Sequence, residues 1–197
     1  MAEAAELGKL IGERVRRSRT ERGWTLDELA ERSGVSRRML VNVEQGSTNP
    51  SIATLLRISD ALGVGLPVLV DVERSAALRV TRSGDAPVLW HGSSGGRGAL
   101  VAGTGPPDVV ELWDWSLASG ETHQSEAHTA GTRELLLVLA GQIQLQVGQA
   151  TRLLGPGDSA AFHGDVSHSY ANPGPGGGPA RFSLTVFEPH AAAGAAR

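Results

Sequence analysis

The stretch Trp24-Thr-Leu-Asp-Glu-Leu-Ala-Glu-Arg-Ser-Gly-Val-Ser-Arg-Arg-Met-Leu-Val-Asn-Val-Glu-Gln-Gly46 decides how the first third of the chain folds. Thr25 and Glu28 have the spacing of a capping box, in which hydroxyl and carboxylate reciprocally satisfy the orphan amides of a helix start. Leu26, Leu29 and Ala30 then fall on one face of a short helix. Ser33-Gly-Val-Ser36 reads as a tight turn, because Gly34 tolerates positive φ and Ser36 is a good N-cap. A second short helix runs from Arg37 to Gln45 and stops at Gly46. Upstream, Leu7, Leu10, Ile11 and Val15 form a helical stripe ending near Gly23. Downstream, Asn49-Pro-Ser51 opens a fourth helix through Leu62, stopped by Gly63.

Charge follows the same division. The chain has 197 residues and a formal net charge of −3, which by itself argues against nucleic acid. Residues 7–46, however, hold 9 Lys+Arg against 6 Asp+Glu. That local excess suits a phosphate-contacting surface on an otherwise acidic protein. Hydrophobic residues make up 40%, enough for packed cores and too much for a disordered chain. No apolar run approaches the ~20 residues of a membrane span, and the opening MAEAAELGKL lacks an apolar signal core. Cysteine is absent, which excludes disulfides, thiolate metal sites and cysteine nucleophiles. The expected location is cytoplasmic, without a membrane partner.

After residue 76 the pattern changes. All six histidines lie beyond position 90, and apolar residues alternate or form short runs between Gly/Pro turns. Candidate strands are Leu78–Thr81, Ala99–Ala102, Val109–Leu117, Glu134–Leu139, Ile143–Val147, Ser159–Phe162 and Phe182–Phe187. Many short strands with glycine-rich turns suggest a sandwich or barrel. Residues 173–179, Pro-Gly-Pro-Gly-Gly-Gly-Pro, read as a flexible hairpin connection.

Two resemblances follow. Trp24…Arg37, with Leu40, Glu44-Gln-Gly46 and Asn49-Pro-Ser51, resembles the phage-repressor-like (XRE) helix-turn-helix family over residues 7–68. The stretches Gly120…His128-Thr-Ala-Gly-Thr-Arg-Glu134…Gly141 and Gly155-Pro-Gly-Asp158…His163…His168-Ser-Tyr-Ala-Asn172 resemble the two halves of the cupin signature. Together they imply an α+β two-domain protein. A lambda-repressor-like all-α domain (1–68) and a linker (69–76) precede a β-jelly-roll cupin domain (77–190) and a disordered tail (191–197).

The first resemblance implies a transcriptional regulator that binds double-stranded DNA. In such proteins the N-terminal face of the second helix of the unit meets base edges in the major groove. Here that face carries Arg37, Arg38 and Asn42, with Ser36 and Thr25 at helix starts suited to phosphates. A homodimer on a pseudo-palindromic operator is expected. Arg19 and Glu44 match the ion pair often found in the family. Arg14, Arg16 and Arg17 suit either the DNA backbone or solvent. Leu26 departs from the glutamine that many relatives carry, which removes one polar DNA contact.

The cupin resemblance implies a pocket for a small-molecule effector, with Trp113, Trp115, His123, His128, Glu134, Phe162 and His168 as lining candidates. Carried over position by position, the metal ligands would be His128, Ala130, Glu134 and His168. Alanine cannot coordinate, so three donors remain for a possible divalent metal, with His163 or His123 as substitutes for the fourth. Trp113 and Trp115, alternating along one strand, read first as barrel core and second as a ligand wall, and Phe162 and Tyr170 carry the same two readings. Asp158 reads as a turn residue. Three functions stay open. One is a regulator that senses an effector through its cupin, another a regulator whose ligand-free cupin only dimerises. The third is a metal-dependent oxygenase like hydroxypropylphosphonate epoxidase, which has the same domain order and iron on two His and one Glu. Five residues separate His128 from Glu134, more than that enzyme's spacing, so no catalytic residue is assigned.

Overall fold

The computed structural model describes residues 2–70, 78–105, 108–174 and 178–189, with side chains from Glu6 onward. They form two compact units that divide near residue 80. The expected tail and most of the expected linker lie outside the described residues, as does the middle of the Pro/Gly run.

The first unit holds five helices: α1 (Ala2–Glu21), α2 (Leu26–Ser33), α3 (Arg37–Glu44), α4 (Ile52–Leu62) and α5 (Leu66–Val70). The starts of α2 to α4 follow the expected chemistry. Thr25 and Glu28 form the reciprocal capping box, and Ser36 and Ser51 accept from Met39 N and Thr54 N. Gly34 and Gly63 close α2 and α4 in the left-handed conformation. The apolar faces meet in a core of Ile11, Val15, Leu29, Leu40, Val43, Leu55, Ile58 and Leu62, all at most 2% exposed. Helices α1 and α3 approach so closely that a Cβ at Gly12 would stand 2.3 Å from the Val43 carbonyl oxygen. Only glycine fits that crossing.

Two details differ from the sequence reading. Residues 69 and 70, expected in the linker, end helix α5, where Leu66, Leu69 and Val70 are buried. Arg14, placed on the DNA backbone or in solvent, is 7% exposed and donates from Nη1 to the Leu69 carbonyl at 3.1 Å. The guanidinium thus satisfies a carbonyl at the end of α5. Arg16 and Arg17 are exposed.

The second unit is a two-sheet antiparallel sandwich. Its strands are β1 (Val88–His91), β2 (Arg97–Gly103), β3 (Val109–Leu117), β4 (Thr122–Ser125), β5 (Arg133–Ala140), β6 (Ile143–Val147), β7 (Ala150–Leu154), β8 (Ser159–His163), β9 (His168–Ala171) and β10 (Ala180–Glu188). One sheet has the order β1-β2-β3-β10-β5-β8, the other β4-β9-β6-β7. Leu78–Thr81, expected as a strand, is none. Leu78 and Val80 are exposed and pair with nothing in the sheets, so an apolar alternation without a partner strand does not suffice.

Alternation places the inner face. On β3 the buried residues are Val109, Glu111, Trp113, Trp115 and Leu117. On β10 they are Ala180, Phe182, Leu184, Val186 and Glu188, and on β5 Glu134, Leu136 and Val138. Period-2 geometry therefore sends Glu134 inward, opposite Val186 on β10 and Phe162 on β8. No helix among the described residues is long and apolar enough to cross a membrane.

Candidate functional site

In the helical unit the expected DNA residues sit on or before α3. Ser36 caps it, Arg37 and Arg38 occupy its first two positions in the open, and Asn42 is half-buried one turn on. Arg38 and Asn42 are four residues apart and share a face. Thr25 is committed to its cap: its hydroxyl donates to Glu28 Oε2 at 2.9 Å and accepts from Glu28 N at 3.2 Å. Arg19 and Glu44 form the expected pair, a two-point contact at 2.6 and 2.9 Å, and Arg19 also donates to the Trp24 carbonyl at 2.7 Å. It thereby ties α1 to the end of α3 and to the entry of α2. Arg37 makes an ion pair with Asp27 of α2, Nε to Oδ1 at 3.0 Å.

In the β unit the expected pocket residues converge on Glu134, whose side chain is fully buried. His128, on the loop before β5, places Nε2 3.2 Å from Glu134 Oε1. His168, at the start of β9, places Nε2 3.2 Å from the same oxygen. Tyr170, two residues on along β9 and on the same face, donates to Oε2 at 2.5 Å. These groups leave no room for a side chain at Gly164, where a Cβ would come 2.7 Å from Glu134 Oε1.

Aromatic rings wall the site. Phe162 lies edge-on to His168 with centroids 5.5 Å apart, and Trp113 and Trp115 stack at 5.7 Å. His123 packs 4.6 Å from Trp115 and 6.3 Å from Tyr170. Of the two substitutes for a fourth metal ligand, His163 points away from the site: it is 62% exposed and pairs with Asp165 at 3.5 Å. Ala130 is also exposed. Asp158 accepts from Gly155 N at 2.8 Å, as a turn residue does.

Some residues of the site were not singled out from sequence. Trp90 on β1 packs against Trp115 and His123 at 5.4 and 5.2 Å. The buried Glu121 carboxylate accepts from Ser94 N and Ala118 N at 2.5 and 2.8 Å, and so pins the β1–β2 turn that follows Trp90. Glu111 accepts from the Trp113 indole at 2.9 Å. An inward glutamate on a strand of alternating apolar residues is the only sequence signal that marks Glu111.

The electrostatics are those of a compact anion between imidazoles. Burial pushes the Glu134 pKa up, but the two imidazoles at Oε1 outweigh it and hold the carboxyl at about 2. Burial lowers the His168 pKa, and the contact with Glu134 reverses this to a net rise. Burial, together with His168, holds His123 neutral with a pKa of about 4. A carbonyl can only accept, so His168 Nδ1 donates to the Val166 carbonyl at 2.7 Å. That leaves Nε2 aimed at Glu134 Oε1. Both atoms are buried, and despite their 3.2 Å approach the angles do not make a hydrogen bond. The raised His168 pKa favours a proton on Nε2 in the metal-free protein, and a cation shared with Glu134 and His128 would take that proton's place.

The donor set fits a divalent transition ion. Nε2 of His128, a carboxylate oxygen of Glu134 and Nε2 of His168 lie within 4.8 Å of one another. Ligands about 2.1 Å from a common ion sit roughly 3.0–3.4 Å apart, and the two His–Glu separations of 3.2 Å match. The His168–Val166 bond is the outer contact that fixes a ligating imidazole's tautomer.

Comparisons with known proteins agree with this architecture. A helix-turn-helix family model matches residues 15–69 and a cupin domain model residues 113–187. An uncharacterized HTH-type transcriptional regulator, y4dJ of Sinorhizobium fredii, is 40% identical over 65 residues, 33% of this chain and 84% of that protein. The chain belongs to the XRE family of helix-turn-helix transcriptional regulators, with a cupin domain. The HTH-type transcriptional regulator SutR of Escherichia coli is 29% identical over 171 residues, 85% of this chain and 90% of its own. A helix-turn-helix transcriptional regulator from Vibrio cholerae shares the fold, with a TM-score of 0.69 at 23% identity over 94% of this chain and 99% of its own.

The regulator's acid stability should carry the signature of His123. Its pKa is depressed from 6.5 to about 4, so its contribution is complete above pH 6.5 and is lost as the pH falls through about 4. Glu134 adds its own loss only below about pH 4.5, and the raised pKa of His168 causes no loss on acidification. Urea denaturation of metal-free protein at pH 6.5 and 4.5 should show a drop of at most about 3 kcal/mol from this group. His123→Gln should flatten the drop. An equal drop in the variant would assign it to other groups.

Proposed function

We propose that this DNA-binding regulator is a one-component switch. Its helix-turn-helix reads an operator with Arg37, Arg38 and Asn42, and its cupin domain senses a small molecule at the Glu134 site. The observation that carries the sensing role is the convergence of His128, Glu134 and His168, with Glu134 Oε1 and His168 Nε2 buried and unsatisfied. A divalent ion bound there would present open coordination positions to an acidic effector. The protein's own part is orientation and exclusion of water. The Val166 carbonyl aims His168, Tyr170 holds the second oxygen of Glu134, and Trp113, Trp115 and Phe162 supply an apolar wall. The same three donors suit an oxygenase. The regulator reading is favoured because SutR, similar over 90% of its length, is itself named a transcriptional regulator.

The cupin domain is also proposed to pair two copies. Beyond Arg133, strand β5 carries three leucines in a row on its outward face: Leu135, Leu137 and Leu139 are 57, 43 and 45% exposed. A strand apolar on both faces is one built to be covered on both. Phe187 on the adjacent strand β10, and Leu112 on β3 beyond it, are exposed on the same face of the sheet. A second copy is the occupant that fits, because a two-fold operator needs two reading heads about one helical turn apart.

Two measurements test these roles. Calorimetric titration of tag-free, chelator-stripped protein with a divalent transition metal should show one site per chain. Glu134→Gln should weaken it at least tenfold. Wild-type protein that takes up no metal would end the cation-centred reading. Separately, Leu135→Glu with Leu137→Glu should turn a dimer into a folded monomer in sedimentation velocity. A dimer that survives both substitutions would place the interface elsewhere.

A further inference from the structure

The start of α3 is electrostatically odd. A helix N-terminus disfavours cations, yet Arg37 and Arg38 occupy the first two positions of α3 and no acidic residue lies in its first turn. The nearest compensation comes from another helix. Asp27, in the first turn of α2, stands with Oδ1 3.0 Å from Arg37 Nε. An acid at this edge carries its own penalty, since α2 and α3 together present this end of the unit to phosphates. Neither helix start gains a DNA contact from Asp27 itself.

Both side chains are open to solvent, 60 and 76% exposed. Such a pair contributes little to the stability of the free protein. Its consequence lies in where it leaves Arg37. An arginine side chain loses considerable rotamer freedom when it is fixed on a base. Asp27, held on the first turn of a capped helix, restricts those rotamers before DNA arrives. The contact engages Nε, which leaves the Nη1–Nη2 end of the guanidinium for the O6 and N7 of a guanine. Docking on DNA excludes water from this edge, and the attraction between the two charges strengthens in the lower dielectric.

We infer that Asp27 is a specificity-determining residue of this regulator: it positions Arg37 for one base pair of the operator without touching DNA. The inference rests on Arg37 as a base reader. It separates Asp27 from the exposed Arg16 and Arg17 of α1, whose charge would act on any sequence alike.

The test is selection of the full-length protein on a randomised double-stranded DNA pool, for wild type, Asp27→Asn, Arg37→Ala and the double variant. Asn keeps the shape of Asp27 and removes its charge, and the position is exposed, so the core is untouched. Arg37→Ala should erase the preference at one base pair. Asp27→Asn should weaken the preference at that same base pair by roughly three- to tenfold, a part of what a bidentate pair provides. In the Arg37→Ala background Asp27→Asn should change no base preference. If Asp27→Asn raises affinity for all sequences equally and leaves every preference intact, Asp27 is only a repulsive charge and the inference is wrong. If Arg37→Ala leaves every preference intact, the base-reader assignment fails first and takes the inference with it.

Discussion

A carboxylate with no exposed side-chain surface, Glu134, is the point on which the β unit is organised. An ionised group in that position is costly unless several partners meet it. The fold supplies them from three places: the loop before β5 gives His128, the start of β9 gives His168, and Gly164 between β8 and β9 lets the backbone pass close to the carboxylate. Strand β9 gives Tyr170, which fixes the second oxygen. Strand alternation puts Glu134 and the side chains of β9, His168 and Tyr170, on the inner face. The arrangement satisfies most, but not all, of the polar atoms it buries. Glu134 Oε1 and His168 Nε2 meet at 3.2 Å without a well-directed hydrogen bond, and this geometry, with His128 on the same oxygen, is the physical basis for assigning a binding role.

The helical unit solves a smaller problem of the same kind. Its short helices cannot persist alone, since eight residues are too few for an isolated helix. Caps at Thr25, Ser36 and Ser51 start them, and the close passage at Gly12 lets α1 lie against α3. Arg19 and Glu44 then join α1 to the end of α3. The N-terminal face of α3 is thus held rigid while Arg37 and Arg38 stay open to solvent. That combination, a fixed helix with exposed basic side chains at its start, is what insertion into a major groove requires.

Much of this was legible in the residues. Local chemistry marks the helix boundaries, because caps and left-handed glycines act within a few residues. The long strands β3, β5 and β10 carry clear apolar signals. What escaped is what depends on distant partners. Strands β4, β7 and β9 are short and carry polar residues, so they are strands only because a neighbour offers a ladder, as β9 does for β4. Leu78–Thr81 is the converse, an apolar alternation with no neighbour. Arg14 could not be read as buried, since the carbonyl it satisfies lies 55 residues away. The pocket set His123, His128, Glu134 and His168 came from the cupin resemblance; the fold gathers His128, Glu134 and His168 and packs His123 beside them against Trp115 and Tyr170. The exposed position of His163 follows from β8 register, which the resemblance did not specify.

In the proposed switch, the state of the Glu134 site is felt at the DNA. Two domains joined in one chain make a switch only if an occupant of one changes the affinity of the other, by the 1–3 kcal/mol typical of such coupling. The direct measurement is the dissociation constant of tag-free, full-length protein for its selected operator, by fluorescence anisotropy, metal-free and saturated with a divalent transition ion. The account predicts a difference of roughly 5- to 150-fold, absent in Glu134→Gln. Equal constants with the ion demonstrably bound at His128, Glu134 and His168 would contradict it.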